Sequence, residues 1–153
     1  MQEPYESYFY HLRELHNMIK RAIQGLPPEG LDWAPGPETN SLTVLAVHVA
    51  GAERHWIGEV VGQQAIERNR SAEFETAGLG EAELARHLDD ALELSRGVLE
   101  QLALEDLAGS RRLPDGREVS VAWALAHALN HTAQHAGHAE LTRQLWDQRQ
   151  GTG

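Results

Sequence analysis

The fold and the chemistry of this chain are decided by the stretch Ala126-His127-Ala128-Leu129-Asn130-His131-Thr132-Ala133-Gln134-His135-Ala136-Gly137-His138. The four histidines in it are spaced at i, i+4, i+8 and i+11. On an α-helix, at about 100° per residue, they fall within an arc of about 80°. Several neighbours of these histidines are small, so that another helix can approach closely. We therefore predict a buried site on a bundle helix, where two of these histidines bind a divalent metal ion.

The composition limits the classes of protein to which the chain can belong. With 153 residues, 41% of them hydrophobic, it has the size of one domain, which we predict to span residues 1–150. The absence of cysteine leaves His, Asp and Glu as metal ligands. A net charge of −10 disfavours binding to nucleic acid. The sequence shows neither a membrane span nor a signal-peptide pattern, so we expect a cytoplasmic protein that acts on a small molecule.

The spacing of apolar residues predicts an all-α protein. Four helices are expected at about residues 3–25, 40–62, 81–103 and 120–148. A polar crossover joins the second and third helices. A Pro-Asp-Gly turn predicts a short hairpin before the fourth helix. This order is typical of a four-helix bundle with a long crossover between helices 2 and 3.

Large apolar residues indicate how the fourth helix packs. We expect Trp33, in the connection after the first helix, to close one end of the bundle. Trp146 is expected to be exposed, which makes it a candidate for a homodimer contact. The core side of the fourth helix is predicted to carry Leu125, Leu129, Ala133, Ala136, Leu141 and Leu145.

Helix geometry leaves two histidine pairs open as metal ligands. His131 could act with His127 or with His135, since each pair is separated by one turn. His127 and His135 lie about 12 Å apart along the axis, so one ion does not take both. On the second helix, His48 lies in an apolar run and is the expected third ligand, whereas His55 lies two turns away. The alternative is a histidine-rich helix face that binds no metal.

Three segments of the sequence resemble the DinB-like, damage-inducible superfamily. They are Trp-Ala-Pro-Gly-Pro-Glu-Thr-Asn-Ser-Leu-Thr at 33–43, Leu-Ala-Val-His-Val-Ala-Gly-Ala-Glu-Arg-His-Trp at 45–56, and Asn-His-Thr-Ala-Gln-His-Ala-Gly-His-Ala-Glu-Leu at 130–141. The resemblance covers essentially the whole chain. It implies a four-helix bundle with a tri-histidine metal site, in which the family pattern Asn-His-x-x-x-His-x-Gly corresponds to residues 130–137. The ligands that it implies are His48, His131 and His135.

The resemblance also implies a class of chemistry, because members of the superfamily include transferases and isomerases that use thiols such as mycothiol or bacillithiol. One departure is His138, where a Gln commonly follows the Gly. We expect a metal-dependent enzyme of the S-transferase or hydrolase type, with zinc or nickel, an open coordination position and a low-molecular-weight thiol as cosubstrate. His127 and His138 are candidate catalytic groups, while His55 and Glu59 could orient a ligand or face the substrate. The alternative is a non-catalytic module that binds a metal or a small molecule, as a homodimer with a stress-related role.

Overall fold

The computed structural model describes residues 1–151 and confirms the predicted all-α four-helix bundle. The long helices are α1 (Tyr5–Ile23), α3 (Leu42–Glu53), α5 (Glu81–Gln101) and α6 (Val121–Gly151). Helix α3 continues as a π-helix over Arg54–Val61. The connections contain α2 (Pro28–Leu31), α4 (Arg70–Phe74), a 3₁₀ turn (Leu104–Ala108) and the strands β1 (Ser110–Arg112) and β2 (Glu118–Ser120).

Local signals in the sequence account for where the elements begin. The hydroxyl of Ser41 accepts a hydrogen bond from the backbone N–H of Val44 at 3.1 Å, and Ser120 accepts one from Trp123 at the same distance. Each serine thereby satisfies one of the unpaired N–H groups in a first helical turn. Strands β1 and β2 pair antiparallel, which confirms the predicted hairpin. The crossover between α3 and α5 contains α4, a short helix that packs on α3.

The core consists of two apolar clusters with a polar layer between them. One cluster contains Tyr5, Leu12, Ile57 and the buried residues at the start of α6, which are Val121, Ala124, Leu125 and Ala128, and the other contains Ile19, Leu45, Leu84 and Ala136 among others. Each long helix contributes one buried polar residue between its two apolar stretches. These residues are His16 on α1, Glu53 on α3, Ser95 on α5 and Thr132 on α6.

The predicted packing of α6 is wrong in two respects. Leu141 is 54% exposed and Ala133 is exposed as well, because the buried face of α6 runs through other positions of the helix. Trp146 is 9% exposed rather than free for a dimer contact, and its ring packs 5.7 Å from that of Trp33. This pair confirms that Trp33 packs at the end of the bundle where α2 lies. The buried residues of α6 are Val121, Ala124, Leu125, Ala128, Thr132, Ala136, Ala139, Thr142 and Trp146.

Within residues 1–151, no helix is both long enough and apolar enough to cross a membrane.

Candidate metal centre

Two helices bring three histidines together at one side of the polar layer. Helix α3 presents His48, which is buried, and α6 presents His131 and His135 from successive turns. The Nε2 atoms of His48 and His131 lie 3.1 Å apart. One ring nitrogen from each of the three side chains lies within 4.8 Å of the other two. These three residues are the ligand set that the family resemblance implied.

The surroundings of the triad keep its imidazoles neutral. Burial lowers the pKa of His131 to about 3, helped by the neighbouring His135 and His48 rings. Burial likewise lowers the pKa of His135 to about 4. For His48, burial outweighs the nearby carboxylate of Glu73, and the pKa is lowered. Near neutral pH the three rings therefore offer lone pairs rather than positive charges, as metal ligands must.

The donor set fits a divalent ion that prefers nitrogen. Two imidazole nitrogens that bind one tetrahedral zinc at ~2.1 Å lie ~3.4 Å apart. The separation of 3.1 Å between His48 and His131 is close to this value. Nickel, copper and iron also accept imidazole. A structural zinc site has four protein ligands, whereas a catalytic site has three and leaves one position open. The number of histidines in the triad matches the catalytic pattern.

Sequence reasoning missed two residues beside the triad. Glu73 on α4 accepts a hydrogen bond from Nδ1 of His48 at 2.8 Å, and Arg68 binds the same carboxylate through Nε at 2.7 Å and Nη2 at 2.9 Å. Burial alone would raise the pKa of Glu73, but its bonds to Arg68 and His48 lower it overall. The carboxylate is thus ionised. Both residues belong to the irregular crossover, where no periodicity marks a buried side chain.

The candidate catalytic residue His127 lies one turn before His131 in an aromatic stack. Its ring is 4.4 Å from that of Trp56 and 5.0 Å from that of Trp123, to which it is nearly parallel. The centroids of the His127 and His131 rings are 6.4 Å apart. His127, Trp56 and Trp123 therefore form an aromatic wall beside the triad, and the structure does not group His127 with the three triad histidines.

The other candidate catalytic residue, His138, lies on the opposite side of the triad. Its Nδ1 is 3.3 Å from Nδ1 of His135, so the two rings are in contact. His138 is exposed, and it also lines a cavity of about 250 Å³ between α6 and the connection before α3. The other residues lining this cavity are Pro35, Glu38, Thr39, Asn40, Leu45, Leu141, Thr142 and Leu145.

The two predicted orienting groups pair with each other. Nδ1 of His55 lies 2.7 Å from the carboxylate of Glu59, one turn along the π-helix. The ring of His55 also meets that of Trp56 at 5.2 Å. Among residues 1–151, neither His55 nor Glu59 is a hydrogen-bond partner of a triad histidine. The pair therefore contacts the aromatic wall at Trp56 and not the triad itself.

Comparison with known proteins supports the family resemblance. The sequence matches the family model described as mycothiol-S-transferase over residues 9–148, which is most of the chain. No curated protein sequence matches the chain significantly.

Several solved structures share the fold at low sequence identity. A DinB-like protein from Bacillus cereus is 15% identical with a TM-score of 0.74, over 92% of this chain and 91% of that one. YfiT from Bacillus subtilis, described as a probable metal-dependent hydrolase with an unusual four-helix bundle topology, is 14% identical with a TM-score of 0.70, over 99% and 90%. A mycothiol-dependent maleylpyruvate isomerase is 14% identical with a TM-score of 0.65, over 87% of this chain and 59% of its own. At these identities the similarities establish the fold.

Proposed function

Because the chain belongs to the mycothiol-S-transferase family of the DinB-like superfamily, we propose that it is a metal-dependent enzyme that transfers a low-molecular-weight thiol to an electrophile. The observation that carries the proposal is the group of three neutral imidazoles, whose ring nitrogens lie within 4.8 Å of one another. Mycothiol, the thiol in the family's name, is the proposed cosubstrate.

In this proposal His48, His131 and His135 hold a divalent ion, zinc or nickel by preference. A bound ion would leave one position for the thiol and would lower the pKa of its S–H group. The cysteine-free chain supplies no thiolate ligand of its own to compete for that position. Three uncharged ligands also preserve the ion's full charge, which favours an anionic thiolate over a neutral ligand.

The chain's own residues would bind the two substrates and move the proton. In the transfer, a sulfur–carbon bond forms, the leaving group departs with its bonding electrons, and the thiol proton passes to an imidazole. His138 and His127 flank the triad and are the proposed proton acceptors. The cavity beside His138, with its leucine walls, suits an uncharged electrophile. The His55–Glu59 pair, next to Trp56, would face the larger thiol substrate.

The test is thiol conjugation by the metal-loaded protein. Protein reconstituted with zinc or nickel is incubated with chlorodinitrobenzene and either mycothiol or cysteine, and consumption of the thiol is followed. We expect consumption with mycothiol that disappears in the metal-stripped protein and in His131→Ala. The control is His11→Ala, which removes an exposed imidazole whose ring contacts Tyr10 on α1.

Two results would count against the proposal. Purified protein that binds neither zinc nor nickel, and is not stabilised thermally by either ion, would exclude the metal centre. Metal-dependent cleavage of esters or amides without any thiol would replace S-transfer with hydrolysis, the activity suggested for YfiT. The homodimer and the cytoplasmic location stay predictions.

A further inference from the structure

The ring of His48 is held at both of its nitrogens. Nε2 faces His131 at 3.1 Å, and Nδ1 lies 2.8 Å from Oε2 of Glu73. The side chains of His48 and Glu73 are only 6% and 8% exposed, so water does not compete effectively for this bond. Both oxygens of Glu73 accept hydrogen bonds from Arg68, and a carboxylate paired in this way is an acceptor, so the proton of the shared bond is on Nδ1 of His48. The lone pair of the neutral ring is therefore on Nε2, towards the other histidines.

Arg68 fixes the carboxylate that makes this bond. Its Nε donates to Oε1 of Glu73 at 2.7 Å and its Nη2 donates to Oε2 at 2.9 Å, which is a bidentate pair. Such a pair fixes the plane of the carboxylate as well as its position. Arg68 and Glu73 also line an open cavity of about 480 Å³, so they separate His48 from the solvent on that side.

Gly51 makes room for the same carboxylate on α3. A Cβ atom at this position would lie 2.1 Å from Oε1 and 2.8 Å from Cδ of Glu73, well inside van der Waals contact. Glycine within a helix costs roughly 0.5–1 kcal/mol relative to alanine. Helix α3 bears this cost one turn after His48, where Glu73 approaches its backbone. The close approach is a second indication, independent of the hydrogen bonds, that the site is shaped around this carboxylate.

We propose that Glu73 is a positioning residue that fixes the tautomer of His48 and thereby sets the affinity of the triad for a divalent ion. Arg68 holds its carboxylate by two hydrogen bonds, and Gly51 leaves the space that the carboxylate occupies. This inference rests on the proposed ligand role of His48. Carboxylates that orient a ligating histidine are a general feature of metal sites, and their loss typically weakens metal binding by about 10- to 100-fold.

The first experiment measures zinc affinity by competition with a chromogenic chelator. We expect Glu73→Gln and Glu73→Ala to raise the Kd for zinc by about 10- to 100-fold. The control is Glu93→Ala, which removes an exposed carboxylate that also pairs with an arginine, Arg96, and should leave the Kd unchanged. Circular dichroism establishes that each variant is folded. An unchanged Kd in folded Glu73→Ala would overturn the proposal.

A double-substitution cycle tests whether Gly51 acts through the same carboxylate. Gly51→Ala alone should weaken zinc binding, because the new methyl group displaces Glu73. In the Glu73→Ala background there is no carboxylate to displace, so adding Gly51→Ala should change the Kd no further. Equal losses in the two backgrounds would show that Gly51 acts on the helix itself, and would overturn that part of the proposal.

The tautomer is measured separately, in metal-free protein, from the ¹⁵N shifts of the His48 ring. We expect the Nδ1-protonated form to dominate in the wild type and to lose this dominance in Glu73→Ala. This measurement separates two failures. A wild type that binds no zinc but shows the expected tautomer would contradict the proposed function alone. A wild type that binds zinc while His48 shows a mixed tautomer would contradict this inference alone.

Discussion

At the scale of single residues, the buried carboxylate of Glu53 is central to the stability of the bundle. Glu53 is 1% exposed, lies 2.5 Å from Nε2 of His16 and accepts a hydrogen bond from the hydroxyl of Ser95 at 2.6 Å. Nδ1 of His16 is buried with no hydrogen-bond partner among the described residues. Unpaired buried polar groups are costly, so each bond in this layer stabilises the groups it satisfies.

We predict that Glu53→Ala lowers the free energy of unfolding by about 3–5 kcal/mol, since it leaves His16 and Ser95 unpaired. Urea denaturation measures the loss. The double variant His16→Leu/Glu53→Met, which removes both ionisable partners, should be more stable than Glu53→Ala. The control Glu93→Ala, at an exposed position, should stay within about 0.5 kcal/mol of the wild type. A loss in Glu53→Ala no larger than that of this control would show that the buried layer contributes little.

Tyr8 gives a prediction for alkaline pH. Its hydroxyl donates a hydrogen bond to the carbonyl of Leu125 at 3.0 Å, and burial, reinforced by the charge of Glu53, raises its pKa well above the ordinary value. Above pH ~10 the unfolded chain releases this proton while the folded chain keeps it. The folded state then binds more protons, so its stability falls as the pH rises. Below pH ~10 the contribution of the Tyr8 hydroxyl to the free energy of unfolding is fully present.

The expected signature is a pH-dependent gap between the wild type and Tyr8→Phe. Near neutral pH the wild type should be more stable by about 1 kcal/mol, the value of one hydrogen bond. Above pH ~10 the stability of the wild type relative to Tyr8→Phe should fall by about 1.4 kcal/mol per pH unit, so that Tyr8→Phe becomes the more stable protein above pH ~11. Urea denaturation at a series of pH values measures it, with Tyr10→Phe, at an exposed ring, as the control. A gap that is constant up to pH ~11.5 would contradict the assignment.

At the scale of elements, α6 shows that small residues decide how closely two helices approach. Ala128, Ala136 and Ala139 face the bundle and are nearly inaccessible to solvent. Leu141 lies outside this face, although it is one of the larger apolar residues of the helix. The short alanine side chains let α3 approach α6 closely, and Nε2 of His48 lies 3.1 Å from Nε2 of His131.

We predict that Ala136→Leu destabilises the protein by about 1–3 kcal/mol, because the site has no room for three more carbon atoms. Leu141→Ala should change stability by no more than about 0.5 kcal/mol, since that side chain is exposed. Thermal or urea unfolding of both variants measures the difference. The sequence pattern alone places both residues on the core side. A large loss of stability in Leu141→Ala would therefore contradict the exposed position of Leu141 and support the packing that the pattern predicts.

The same helix marks the limit of what the sequence reveals. Histidine spacing predicts His131 as a ligand and the family pattern implies His135 as its partner, and both signals are local to one helix. The predicted core face of α6 is right at Leu125 and Ala136 but wrong at Ala133 and Leu141, because apolar character alone does not fix the direction in which a long helix faces its neighbours. The π-helix from Arg54 to Val61 leaves no trace in a periodicity search, since its apolar positions also fit an α-helix.

Glu73 was missed for a different reason. Its contact with His48 joins residues 25 positions apart through a crossover that carries no regular pattern. One feature of the sequence points to this contact, which is Gly51 in the interior of a helix one turn after His48. A helical glycine without a turn to explain it often marks a close approach, but the sequence does not say what approaches. Side chains that are positioned by tertiary contacts of this kind can be identified only from the structure.

At the scale of the whole molecule, we propose that residues 1–150 form a single domain in spite of the polar layer that divides the core. The four tryptophans are distributed between the two ends of the bundle. Trp56 packs against one apolar cluster and contacts Trp123, whereas Trp33 and Trp146 pack together near α2. Because α1, α5, α6 and the helix formed by α3 with its π-helical continuation each contribute to both clusters, unfolding one end should unfold the other.

This arrangement predicts one cooperative unfolding transition, seen identically from either end. The double variant Trp33→Phe/Trp146→Phe keeps fluorescence only from the end with Trp56, and Trp56→Phe/Trp123→Phe keeps it only from the α2 end. Within each variant, the urea midpoint from fluorescence should equal the midpoint from circular dichroism, although the two variants will differ in stability. A fluorescence midpoint that departs from the circular dichroism midpoint would mean that the polar layer separates two units that unfold independently. Because α3 and α6 cross that layer at Glu53 and Thr132, beside the triad, such a result would also place the proposed metal centre at a boundary between the two units.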